Sequence, residues 1–170
     1  MMNIANLSRS SRIRIAQTLV GIQFLSLGAM GVVAITRVTS RSHSYLAFEV
    51  GAILCGIIII GAAGIALRPS LRVSPIPKVD SPLIEIGIYK RVRHPMYLGT
   101  ILIGFGVAGY ADSWLSWLFE VILIINLNIK ARFEDALLRE IHPESVRYQM
   151  QVSRILPCLG ASCRTHCSVN

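Results

Sequence analysis

Two long apolar stretches, Ile15–Ile35 and Tyr45–Leu67, constrain this chain more than any other feature. Each exceeds the roughly 20 residues that an α-helix needs to cross a hydrocarbon core of about 30 Å. Lipid offers backbone N–H and C=O groups no partner, so such a stretch must close its own hydrogen bonds as a helix. Two shorter stretches follow, Tyr97–Tyr110 and Trp114–Ile129, parted by a tight Ala111-Asp112-Ser113 turn. Each is near the lower limit for spanning. They form either a tilted pair or a hairpin that stops short, and both arrangements return the chain to the side it left. Composition agrees: the 170 residues are 53% hydrophobic and 15% charged, whereas a soluble domain carries about a quarter charged residues. The expectation is an all-α, polytopic transmembrane helical bundle of about four membrane segments. The last two make a short hairpin, and a cytoplasmic C-terminal helix follows.

Arg9, Arg12 and Arg14 precede the first stretch in the manner of a signal peptide. Its apolar region is too long for one and no small-residue cleavage site follows, so it reads as a retained helix. The 17 Lys and Arg residues give the orientation. Three lie in residues 1–14, six between Arg68 and Arg93 and six from Lys130 onward, leaving only Arg37 and Arg41 for the opposite side. Basic residues collect on the cytoplasmic side, so both termini are expected there. The membrane is the plasma (inner) membrane in a prokaryote and the endoplasmic reticulum in a eukaryote.

The organisation expected is an N-terminal helix pair and loop over 1–80, a core over 81–157 and a tail over 158–170. Within the loop, Arg68–Asp80 carries Pro69, Pro75 and Pro77 and crosses the interface without regular structure. Glycines recur in the apolar runs at Gly28, Gly31, Gly51, Gly56, Gly61, Gly64, Gly99, Gly104, Gly106 and Gly109. For most of these, close helix packing is the expected use. After the fourth run the chain stays helical from Lys130, with Phe133, Leu137, Leu138 and Ile141 on one face, until Pro143 stops it.

Net charge is +8, but topology accounts for where the basic residues fall, and no nucleic-acid-binding module is present. Cys55 lies in an apolar run, whereas Cys158, Cys163 and Cys167 lie in the polar tail, a distribution that suits free thiols. With His166 the tail cysteines fit no common closed zinc spacing. Glu49 and Glu120 stand inside apolar runs, where a carboxylate is costly. Glu49 is close enough to an end to reach the interface, and Glu120, more central, is expected either to stay protonated or to face the hairpin.

Chemistry concentrates in Gly87-Ile88-Tyr89-Lys90-Arg91-Val92-Arg93-His94-Pro95-Met96-Tyr97-Leu98-Gly99. This is a cationic, aromatic segment that ends where a helix starts. Pro95 suits the first helical turn, since its missing N–H costs nothing there. The helix N-terminus then offers unpaired donors and partial positive charge to an anion. An interfacial anchor has the same composition, because Tyr and Arg collect at membrane boundaries.

The order Gly-x-Tyr, then Arg-His-Pro-x-Tyr and a glycine two residues on, opening a short apolar hairpin, resembles the core of the isoprenylcysteine carboxyl methyltransferase family. Broader relatives of that family include phospholipid methyltransferases. The second half of the signature is also present, as Glu134-Asp135, Leu137-Leu138 and Arg154-Ile155-Leu156-Pro157. The resemblance covers Leu83 to Pro157. It implies a membrane methyltransferase that uses S-adenosylmethionine and a lipidic or prenylated acceptor drawn from the membrane. Leu83, Ile84 and Tyr89 are then expected to line the cofactor from the loop. His94, Pro95, Met96 and Tyr97 hold it at the helix start, and Glu134 completes the site. The resemblance also puts Lys130 where the family has an arginine for the substrate carboxylate.

Lysine keeps the charge of that arginine and loses its bidentate fork. Lys130 and Glu134 are also spaced for an ordinary i,i+4 ion pair. Other departures are Asp135 in place of a second Glu, and Ile141-His142-Pro143 in place of Phe-Gly, with Tyr148 alone of two expected tyrosines. A carboxylate acceptor is already ionised at neutral pH and needs no base, which favours an isoprenylcysteine-type substrate. Phospholipid N-methylation is the nearer alternative. A nicotinamide-dependent membrane reductase of the sterol-reductase type is the farther one, and those proteins have Asn where this chain has Met96.

Overall fold

The computed structural model describes residues 8–37, 45–67 and 85–157. Among the described residues there are five α-helices: α1 (Arg9–Arg37), α2 (Leu46–Leu67), α3 (Pro95–Ala111), α4 (Trp114–Ile141) and α5 (Ser145–Gln151). A single 3₁₀ turn, Gly87–Lys90, lies between α2 and α3. The all-α membrane bundle expected from the sequence is the architecture found. Large apolar side chains point outward along it, including Leu25 (71% exposed) and Ile58 (69% exposed). An outer surface of this kind belongs against lipid.

The helix after the fourth apolar run continues as the sequence led one to expect. Trp114–Ile129 and the charged stretch after it form one uninterrupted helix of 28 residues, and among the described residues three helices are long and apolar enough to cross a membrane, α1, α2 and α4. With 17 residues, α3 falls short of that length. At a rise of 1.5 Å per residue, α4 is about 42 Å long and α3 about 26 Å. A helix of about 42 Å overruns a hydrocarbon core of about 30 Å by about eight residues. The charged end of α4 is this overrun.

Local chemistry sets the helix ends. Ser8 accepts the Ser11 amide on its hydroxyl at 3.2 Å, an N-cap bond that starts α1. Asp112 ends α3 in the left-handed region, at φ 44° and ψ 47°, and so turns the chain into α4. The α4 helix stops at Ile141, where Pro143 cannot continue the ladder.

Close packing unites α2 and α3 as an antiparallel pair. A Cβ on Gly56 would lie 2.5 Å from the Gly99 carbonyl, and one on Gly106 would lie 2.7 Å from the Glu49 carbonyl. Gly104 makes room for Glu120 of α4, as the sequence suggested for that residue. Glu49, in the first turn of α2, is buried against α3, with its side chain 3.3 Å from the Cβ position of Gly109. The packing reading fails for Gly28, Gly31, Gly51, Gly61 and Gly64, whose Cβ positions are open. At the end remote from α5, Phe105 meets Phe48 and Trp117 edge to face, with centroids 6.1 and 5.0 Å away. At the other end Ala16 of α1 packs on Phe133 and Leu137 of α4. There the N-terminal half of α1, the start of α3 and the overrun of α4 converge.

Candidate functional site

Asp135 organises this end of the bundle. It is 3% exposed and accepts hydrogen bonds from Arg93 Nη1 at 2.7 Å, Arg154 Nε at 2.9 Å and His94 Nε2 at 3.0 Å. A buried carboxylate is tolerated when charge and hydrogen bonds both compensate it, and here three donors do so. Arg93 has a second task, donating from Nε to the Val152 carbonyl at 2.9 Å. Burial pulls the Arg93 guanidinium down from its ordinary range, while Asp135 opposes that shift.

The segment after α5 is laced to the segment before α3. Val92 and Ser153 form an isolated parallel bridge. The Arg93 and His94 amides donate to the Ser153 and Arg154 carbonyls, both at 2.9 Å. The Tyr148 hydroxyl donates to the Tyr89 carbonyl at 2.6 Å, and Gln149 Nε2 reaches the Asp135 carbonyl at 3.0 Å. The loop bearing Tyr89 and His94 is thus held from both sides, by α4 through Asp135 and by the C-terminal segment through its backbone.

His94 takes its orientation from this lacing. With Nε2 committed to Asp135, Nδ1 faces Glu134 Oε2 at 3.6 Å, beyond hydrogen-bond distance. The imidazole stacks on Tyr97 with centroids 5.2 Å apart and planes 5° from parallel. Tyr97 in turn donates to Glu134 Oε1 at 2.6 Å. Pro95 and Met96 open α3 between these two rings, and the first-turn amides of Tyr97 and Leu98 bond back to the His94 carbonyl. Burial, and then the charge of Glu134, push the Tyr89 hydroxyl up to about 12, so it stays neutral.

Lys130 departs from the i,i+4 pairing its spacing suggests. Among the described residues no carboxylate lies within 4.0 Å of its ammonium. Its Nζ lies 4.9 Å from the centroid of the Tyr97 ring and donates to Gln23 Oε1 on α1 at 3.1 Å.

Tyr89, His94, Pro95, Met96, Tyr97, Lys130 and Glu134 are therefore gathered at one end of the bundle. Leu83 and Ile84 lie outside the described residues, as do the proline loop and the tail with Cys158, Cys163, His166 and Cys167. Sequence reasoning missed Asp135 as the hub, Arg93 and Arg154 as its partners, and Gln23. An amide at Gln23, set among Val20, Ile22, Phe24 and Leu25 of α1, is the signal that points to it.

Residues 44–145 match the family model described as phospholipid methyltransferase, well over half of the chain. No curated protein and no solved structure matches the chain. The match takes in α2, α3, α4 and the loop with Tyr89 and His94, and leaves α1 and most of α5 outside. With an apolar helical bundle and a polar cluster at one end, the chain belongs to the phospholipid methyltransferase family of membrane-embedded methyltransferases.

Proposed function

We propose that this protein transfers a methyl group from S-adenosylmethionine to a lipidic acceptor that presents an anion to Lys130, most simply the carboxylate of an isoprenylcysteine-type substrate. The observation that carries the reading is the buried Lys130 ammonium, which meets an amide and an aromatic ring rather than a carboxylate. Glu134 acts on this buried charge only from beyond contact distance, and an incoming anion relieves the cost of burying it.

The residues at the head of α3 fit the donor. Glu134 keeps a partly exposed carboxylate, able to accept ribose hydroxyls or an ammonium. Tyr89 and Tyr97 offer aromatic surface, and the first turn of α3 offers the Met96 amide to a carboxylate. When bound, S-adenosylmethionine supplies a methyl group on a positively charged sulfur and needs no further activation. Lys130 then sets a second positive charge nearby, so an acceptor with an anion between the two is favoured over a neutral one. A carboxylate is ionised at neutral pH and needs no base. What remains for the protein is to align the partners and exclude water, which the bundle end does by positioning.

The family description favours a second acceptor, the amine of a phospholipid, whose phosphate supplies the anion for Lys130. That reaction has to remove a proton from the amine, a task for which Glu134 offers a partly exposed carboxylate. Transfer of labelled methyl into an N-acetyl-S-prenylcysteine, compared with phosphatidylethanolamine vesicles, separates the two. Binding is tested by thermal stabilisation of the purified protein with S-adenosylhomocysteine. The expected result is stabilisation that Glu134→Ala abolishes while the protein still inserts into membranes. Stabilisation by NADPH alone would overturn the reading.

A further inference from the structure

The α1 helix lies outside the stretch that matches the family, yet it touches the site at one side chain. Gln23 stands among Val20, Gly21, Ile22, Phe24 and Leu25. An amide in such a run needs a partner across a helix interface, and Gln23 finds it in Lys130. A second polar contact joins the same two helices. Asn126 of α4 donates from Nδ2 to the Leu19 carbonyl of α1 at 2.9 Å. Leu19 and Gln23 are four residues apart on α1, and Asn126 and Lys130 four apart on α4, so each pair shares one face of its helix.

Two polar valences are left over in this seam. Asn126 is 4% exposed, and its Oδ1 has no hydrogen-bond partner among the described residues. Gln23 uses its Oε1 on Lys130, which leaves the Nε2 hydrogens as donors. A buried acceptor without a partner costs on the order of 1–3 kcal/mol. Its presence one turn below a buried cation marks a niche for something with both an anion and an N–H.

We propose that the α1–α4 seam at Gln23, Asn126 and Lys130 receives the polar end of the methyl acceptor, and that Gln23 is the specificity-determining residue of this niche. Gln23 holds the ammonium over Tyr97 and adds a neutral donor beside it. Asn126 accepts from an N–H next to the acceptor's anion, a group that an N-acylated amino acid and a phospholipid ammonium both possess. The inference rests on the methyltransferase reading above, and α1 is the part of the chain by which this protein sets its own acceptor preference.

The test compares wild type, Gln23→Leu and Gln23→Glu in the full-length, detergent-solubilised protein. Methyl transfer is measured against N-acetyl-S-prenylcysteine, whose anion is a carboxylate, and phosphatidylethanolamine, whose anion is a phosphate. Loss of one hydrogen bond to a charged group is expected to raise the acceptor KM about tenfold in Gln23→Leu. Gln23→Glu sets a carboxylate against Lys130 and raises it further, with kcat falling less than KM rises. Stabilisation by S-adenosylhomocysteine stays at the wild-type value in both variants, which also shows that they are folded. An active wild type whose acceptor KM moves in neither variant overturns this inference alone. A wild type that methylates neither acceptor overturns the methyltransferase reading and the inference with it.

Discussion

Asp135 accepts from two guanidinium groups and an imidazole that have no other carboxylate so close among the described residues. Removing it leaves Arg93 buried without its counter-charge, and such a loss costs about 3–5 kcal/mol. Asp135→Ala is therefore expected to lower the denaturation midpoint strongly and to abolish S-adenosylhomocysteine binding. Asp135→Asn keeps the shape and loses the charge, and should fall between. If Asp135→Ala binds and melts like wild type, the hub is not what holds the loop. Tyr97→Phe is a milder change: it deletes the donor to Glu134 at 2.6 Å and little volume. We expect a weaker cofactor affinity, by about tenfold for one bond to a charged group, with the midpoint nearly unchanged; isothermal titration reads the first and a thermal scan the second.

At the scale of elements, the glycines divide into two kinds that only contact distinguishes. Gly56→Val drives a side chain into the Gly99 carbonyl and Ile103, and overpacking of this sort costs about 1–3 kcal/mol. Gly61→Val, one and a half turns along the same helix, meets open space and is expected to leave the melting temperature of the purified protein within error. Equal effects would remove α2–α3 packing as the reason for Gly56. The C-terminal segment makes a different prediction. Ending the chain after His142 removes Tyr148, Gln149 and Arg154, and with them the backbone bonds to Arg93 and His94. The shortened protein should still insert, since α1 to α4 are retained, but should no longer be stabilised by S-adenosylhomocysteine. Retained stabilisation would show that α4 alone fixes the loop.

For the whole molecule, the distribution of basic residues and the asymmetry of α3 and α4 give one oriented picture. We propose that the end with Tyr89, Lys130 and Glu134 faces the cytoplasm, since nearly all Lys and Arg lie on that side of the chain's apolar stretches. A soluble donor then comes from the aqueous side while an acceptor slides in from the bilayer. A thiol-reactive, membrane-impermeant label on a cysteine placed at Lys90 is expected to react in inside-out vesicles and not in right-side-out ones. The reverse pattern would invert the orientation.

The sequence by itself determined the membrane bundle, the hairpin turn at Asp112 and the stretch from Tyr89 to Gly99, because run length, turn chemistry and motif order are properties of neighbours along the chain. The resemblance to a methyltransferase family singled out Glu134, the first residue of the acidic pair after the hairpin. Tertiary structure decided which groups meet. Arg93 and Asp135 are 42 residues apart, His94 and Asp135 41, and Gln23 and Lys130 107. No spacing rule reaches across such separations. The i,i+4 spacing of Lys130 and Glu134 describes a helix without neighbours, and in the bundle the contacts of the ammonium are an amide and a ring from other helices. The long apolar helices are therefore legible because lipid imposes their length, whereas the site had to be folded before its partners could be read.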